Sequence, residues 1–171
     1  MLSLVNTRSE EVLKFFCKRP TAEYSVTEVA EALDASKPSI SQQFDKLEQK
    51  NILKVEKKRN NKLASFNRDE NLQLKQLVNL NELMNSPILE KITQDYIHPE
   101  AVILFGSFAK GEDTEKSDID IAVITTDTIE TSYEKIMDRK ISITELKSAK
   151  IPENMKETLA NGINLQGYLE V

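Results

Sequence analysis

Asp118 and Asp120 stand two residues apart in the stretch FGSFAKGEDTEKSDIDIAVI, residues 105–124. Strand spacing puts both side chains on one face, within the apolar run Ile119, Ile121, Ala122, Val123 and Ile124. Two carboxylates that close repel each other, and burying them is costly unless a positive charge lies between them. Mg²⁺ meets that need: it prefers oxygen ligands and is commonly held by one or two carboxylates together with phosphates. Gly106-Ser107 lies eleven residues upstream, directly after the apolar run Ala101–Phe105. A glycine there lets the backbone approach a phosphate, the serine adds a hydroxyl, and the N–H groups of a short following helix point to the same place. These parts suit a metal-bound nucleoside triphosphate, in which the metal neutralises phosphate charge and activates an incoming hydroxyl.

The elements that must carry these residues can be read from periodicity. Ser86-Pro87 opens a helix with Ile88, Leu89, Ile92 and Ile97 inward, broken at His98-Pro99-Glu100. Residues 101–105 and 117–124 read as strands, 130–138 as a helix, 140–144 as a strand and 153–161 as a helix. Gly162 is placed as its C-cap, and 165–169 as a final strand. His98, the only histidine, reads as a surface turn residue.

A lone Gly-Ser or a lone Asp-x-Asp is common on ordinary strand ends. The ordered set is more specific: apolar strand, Gly106-Ser107-Phe108-Ala109-Lys110-Gly111, a spacer, then Ser117-Asp118-Ile119-Asp120 on a second apolar strand. It resembles the minimal nucleotidyltransferases of the polymerase-beta superfamily, with their Gly-Ser-x-Ala-x-Gly and Ser-Asp-x-Asp pattern. The resemblance runs from about residue 86 to the C-terminal NGINLQGYLEV. It implies a mixed sheet packed on helices and transfer of a nucleoside monophosphate to an acceptor hydroxyl. Asp118 and Asp120 would be the catalytic metal ligands for Mg²⁺. Gly106, Ser107 and Lys110 would bind the nucleotide, with ATP as the expected triphosphate. Lys110 stands where relatives commonly have arginine. One departure matters: relatives carry a third carboxylate on the strand after the intervening helix, and DRKISITELK puts Ser142 at that place. Glu145 is near but has the opposite strand parity.

The N-terminal half is organised differently. Thr7 and Glu10 form a capping-box pattern for a helix to Lys18, with Val12, Leu13, Phe15 and Phe16 inward; Ser25 and Glu28 repeat it for a helix to Leu33. After the turn Asp34-Ala35, Ser36 caps a third helix with Pro38 in its first turn. Ile40, Phe44 and Leu47 form its buried stripe. Its polar face carries Lys37, Ser39, Ser41, Gln42, Gln43 and Lys46. Strands at 52–56 and 63–67 flank a basic turn, and Lys54 to Lys62 holds five basic residues against one acidic. A polar helix face or a charge run is, singly, more often just solvated. Together they resemble the winged helix-turn-helix domains of bacterial and archaeal transcription regulators, over about residues 7–68. That resemblance implies duplex DNA as partner. Lys37, Ser39, Ser41, Gln42 and Lys46 would lie in the major groove, and Lys57, Lys58 and Arg59 on the phosphates.

The expected organisation is therefore α+β: a winged helix-turn-helix domain at 1–69, a connecting helix at 70–85 and a nucleotidyltransferase domain at 86–171. Leu72, Leu77, Leu80 and Leu83 form a stripe on the connecting helix that suits core packing or a homodimer. Charge divides along the same line. Residues 1–85 hold 14 Lys+Arg and 12 Asp+Glu, a net of +2, and residues 86–171 hold 9 and 16, a net of -7. The 171 residues, 39% hydrophobic and 30% charged, suit a globular protein. No apolar stretch approaches the ~20 residues of a membrane helix, and MLSLVNTRSE lacks a signal-peptide pattern. The lone Cys17, beside Phe15 and Phe16, reads as a core residue, and a cytoplasmic location follows. Two functions stay open. One is a DNA-binding protein that transfers a nucleotide to an acceptor, including a protein partner. The other is a transcription regulator whose degenerate transferase domain serves only nucleotide or partner binding.

Overall fold

A computed structural model describes residues 7–58, 61–126, 129, 133 and 139–168. The chain divides into two compact units, Met1–Val78 and Asn79–Val171. Among the described residues no helix is long and apolar enough to cross a membrane.

In the first unit, α1 (Arg8–Lys18) and α2 (Val26–Ala32) both start with complete capping boxes, Thr7 with Glu10 and Ser25 with Glu28. Ser25 donates through its backbone N–H and its hydroxyl to the Glu28 carboxylate at 2.7 Å each, which holds that carboxyl below the usual range. Ser36 caps α3 (Lys37–Gln49), with Pro38 in its first turn. Strand β2 (Leu53–Lys58) pairs antiparallel with β3 (Asn61–Phe66) in register to Lys58↔Asn61. A short strand that sequence patterning missed, β1 (Glu23–Ser25), completes the sheet in the order β1-β3-β2. Its three residues are too few to show period-two alternation beside a helix cap. Phe15, Phe16, Tyr24 and Phe44 meet edge-to-face at centroid distances of 4.9–6.2 Å in the core. Cys17 is buried there, as expected.

Helix α4 (Leu72–Asn85) crosses the boundary between the units: Val78 packs in the first core and Leu83 in the second. The leucine stripe does not behave as one face, because Leu83 is fully buried while Leu77 is 63% exposed.

Among the described residues the second unit contains a four-stranded sheet in the order β6-β5-β4-β7, formed by β4 (Ala101–Phe105), β5 (Ile119–Ile124), β6 (Ile141–Leu146) and β7 (Ile163–Gly167). The β5–β6 pair is parallel, and the pairs made by β4 are antiparallel. The unit therefore has the α+β, mixed-sheet character expected of it. One face of the sheet packs Val102, Leu104, Ile121 and Val123 against Ile88 and Ile92 of α5 (Ile88–Asp95). The other packs Ala101, Ile103, Ala122 and Ile124 against Leu159 of α7 (Glu153–Ala160).

Three local expectations are corrected. Ile97 lies beyond the end of α5 and is exposed; Tyr96 is the residue that turns inward. Gly162 is not the C-cap. Asn161 caps α7 with ordinary backbone angles, and Gly162 is needed for closeness, because a Cβ there would sit 2.6 Å from Ile103 Cγ2 and 2.9 Å from the Leu104 carbonyl oxygen. Gln43 is buried in α3, where its side-chain oxygen accepts from the Ser9 hydroxyl, so it does not belong to the exposed polar face. His98 is exposed, at a positive φ of 52°. Apart from Tyr133, the helix expected at 130–138 lies outside the described residues, as does the end of the last expected strand.

Candidate functional site

The acidic pair sits where the sheet of the second unit opens. β4 ends at Phe105, and α6 (Gly106–Lys110) begins at once. Gly106 has φ 75°, a left-handed conformation that favours glycine. A Cβ on it would also collide with Oδ2 of Asp120. The glycine of the Gly-Ser step thus makes room for the second aspartate of the Asp-x-Asp step. Gly111 closes α6 in the left-handed conformation at φ 72°. Ser117 shapes the return: its Oγ accepts from the Thr114 N–H at 2.9 Å, closing the turn that delivers Asp118 to the start of β5.

Asp120 pairs across the sheet with Phe105 on one side and Ser142 on the other. It shares its sheet face with Ala122 and Ile124, so it opens on the side covered by α7. The Asp120 carboxyl is held above the ordinary carboxylate range, first by burial and then by the negative charge of Asp118; Lys140 acts in the opposite sense. Lys140 Nζ lies 3.5 Å from Asp118 Oδ2. The positive charge that the acidic pair requires is therefore partly supplied by the chain itself. Beside Gly106, an open cleft of about 470 Å³ is lined by Ala109 and Lys110 of α6 and by Glu157, Thr158 and Asn161.

The register settles where the neighbouring carboxylate goes. Glu145 pairs with Val123 and has the other parity from Asp120. Its Oε1 accepts from the Tyr96 hydroxyl at 2.7 Å and from the Ile129 N–H at 3.0 Å. Burial, with help from that bond, raises the proton affinity of the Tyr96 phenol. Ser142, not Glu145, shares the face of Asp120.

A further network is absent from the sequence reading. Asp113, fully buried in the loop between α6 and β5, accepts from Arg139 Nη1 at 2.7 Å and from Asn79 Nδ2 at 2.7 Å. The same Asn79 amide donates to the Phe108 carbonyl at 3.0 Å, and the Arg139 guanidinium lies 5.5 Å from the Phe108 ring centroid. These contacts tie the loop carrying the motif to α4 and to the approach to β6. In the sequence, Asp113 is one of three acids in Glu112-Asp113-Thr114-Glu115, and Arg139 is one of two adjacent bases before a strand. Only the fold separates the buried member of each from the exposed one.

The donor set fits a hard divalent ion. Asp118 and Asp120 offer carboxylate oxygens next to a glycine that leaves the second one its place. Among the described residues no group of three His, Cys, Asp or Glu side chains gathers into a metal site. The rest of an octahedral shell would come from phosphate oxygens and water, as Mg²⁺ prefers.

In the first unit, Lys37, Gln42 and Lys46 are exposed on α3, and Ser39 and Ser41 are half-buried. Lys62 of β3 reaches α3: its Nζ donates to the Ser41 carbonyl at 2.9 Å, to Ser41 Oγ at 3.2 Å and to Asp45 Oδ1 at 2.5 Å. That clamp fixes the hairpin against the helix. Lys57 pairs with Lys62 on the same hairpin face, whereas Lys58 faces the other way. Lys58 meets Glu23 at 3.2 Å and Glu56 at 3.3 Å, and Glu23 before Glu56 holds its ammonium above the ordinary range. Arg59 lies outside the described residues.

Two family models match the chain. Residues 7–55 match bacterial regulatory proteins of the arsR family, and residues 88–167 match the polymerase beta nucleotidyltransferase family. No curated protein and no solved structure was found to match. The chain thus carries an arsR-type helix-turn-helix domain followed by a polymerase-beta-type nucleotidyltransferase domain.

Proposed function

We propose that this protein is a DNA-binding regulator whose second domain binds a Mg²⁺–nucleoside triphosphate, with ATP the first candidate, and turns it over slowly. The observation that carries the reading is the register Asp120↔Ser142. Asp118 and Asp120 suffice for the metal on the triphosphate side. Phosphoryl-type transfer also needs a group that serves the attacking hydroxyl, and a serine cannot act as that base or as a strong metal ligand at neutral pH. Glu145, engaged on the opposite face, does not replace it. Gly106, Ser107 and Lys110 border the phosphates in this reading, and α3 with Lys57 and Lys58 borders duplex DNA. A cytoplasmic location accompanies a DNA partner.

The complete ordered motif favours a second reading, transfer of a nucleoside monophosphate to an acceptor hydroxyl on a macromolecule, including a protein partner. Labelled triphosphate separates the two. The protein is incubated with α-labelled ATP, Mg²⁺ and cell lysate. Retention on the protein without a labelled acceptor supports the first reading, and a labelled acceptor supports the second.

A further inference from the structure

We infer that Lys140 is the built-in cation of the acceptor side, so that this site takes one divalent ion with its triphosphate and holds an ammonium where a second ion would sit. The inference rests on the triphosphate reading above. Its basis is the arrangement along β5 and β6. Lys140 directly precedes β6, two residues before Ser142. Ser142 lies beside Asp120, and Lys140 lies beside Asp118 at 3.5 Å. The Ile119 N–H donates to the Lys140 carbonyl at 2.9 Å, which fixes the backbone from which that side chain extends. A second metal would need a carboxylate at the Ser142 position and would meet the lysine charge at close range. A serine and a lysine two residues apart therefore change the site together. One removes the ligand that a second ion needs, and the other supplies a single positive charge in its place.

This arrangement gives the site a preference. A lysine ammonium neutralises one charge and donates hydrogen bonds, but it does not polarise a bound hydroxyl as a divalent ion does. The site is thereby suited to hold a charged triphosphate rather than to activate an acceptor against it.

The test counts ions. The full chain is dialysed to equilibrium against Mn²⁺ and α,β-methylene-ATP, and bound Mn²⁺ and bound nucleotide are both measured. The wild type should retain one Mn²⁺ per nucleotide. Ser142→Asp should stay at one, because the Lys140 charge beside Asp118 still opposes a second ion, while the new carboxylate stays free to act as a base. Lys140→Met combined with Ser142→Asp should reach two. A ratio of two in the wild type, or of one in the folded double variant, overturns the inference. Nucleotide retained without Mn²⁺ also overturns it, while wild type retaining neither overturns the triphosphate reading with it. Should the double variant not fold, Mn²⁺ binding without nucleotide decides. Lys140→Met should then bind Mn²⁺ several-fold more tightly than wild type and Lys140→Arg about as wild type does. Equal affinity in all three overturns the inference.

Discussion

Gly106 and Asp120 share one space: the missing side chain of the first is the room in which the carboxylate of the second stands. The two halves of the motif, fourteen positions apart in the chain, are thereby one structural unit. Gly106→Ala should be destabilised on two counts, the positive φ and the collision. A loss of about 1–3 kcal/mol is expected in urea unfolding. Binding of Mg²⁺–ATP should fall with it. An alanine variant of wild-type stability would mean that Asp120 swings aside freely.

Asp120 itself should penalise the metal-free fold. Its carboxyl is held above its ordinary range by burial and by Asp118, so the folded state binds that proton more tightly than the unfolded chain does. Stability from this group is fully present below the unfolded carboxylate range and is lost as pH rises through the raised folded value. Asp120→Asn should therefore stabilise the metal-free protein at neutral pH, and the gain should vanish on acidification below about pH 4. Thermal unfolding across pH checks it. A variant less stable than wild type at neutral pH would assign Asp120 to a structural network.

The buried Asp113–Arg139 pair should behave oppositely. Removing Arg139 takes a close guanidinium from a fully buried carboxylate, so Arg139→Met should cost about 3–5 kcal/mol. The double replacement Asp113→Asn with Arg139→Met should recover part of that loss. A double variant as unstable as the sum of the singles would show that the two residues act independently.

How much of this was legible beforehand follows from the kind of signal each feature leaves. The capping boxes, the strand from Ala101 to Phe105 and the Gly-Ser and Asp-x-Asp steps are local patterns, and they appear where the sequence put them. The resemblance put Ser142 at the place of the third carboxylate, and parity turned Glu145 away, because strand alternation carries over short distances; the register Asp120↔Ser142 agrees with both. Long-range facts left no local mark. The partnership of Asp113 with Arg139 and Asn79, the clamp of Lys62 on Ser41, and the burial of Gln43 depend on how elements meet. Ile97 was misplaced for a related reason: helical spacing continues in the letters after the helix has ended at Asp95.

On the first unit, Lys57 and Lys58 should differ as DNA contacts although they are neighbours. Lys58 is engaged by Glu23 and Glu56, so a phosphate must displace them, whereas Lys57 lies on the hairpin face that approaches α3. Lys57→Ala should flatten the log–log salt dependence of duplex binding by about 0.9. Lys58→Ala should flatten it less. Equal slopes for wild type and Lys57→Ala would remove this face of the hairpin from the interface.

The most direct measurement of the central claim is transfer of label from α-labelled ATP, with Mg²⁺ and lysate, by wild type, Ser142→Ala and Ser142→Asp side by side. A site that holds the triphosphate but lacks an acceptor-side carboxylate should give a retained nucleotide and little transfer in the first two. Ser142→Asp should then raise transfer by about 10²-fold or more, the usual contribution of a positioned base. Robust wild-type transfer that survives Ser142→Ala would contradict the account.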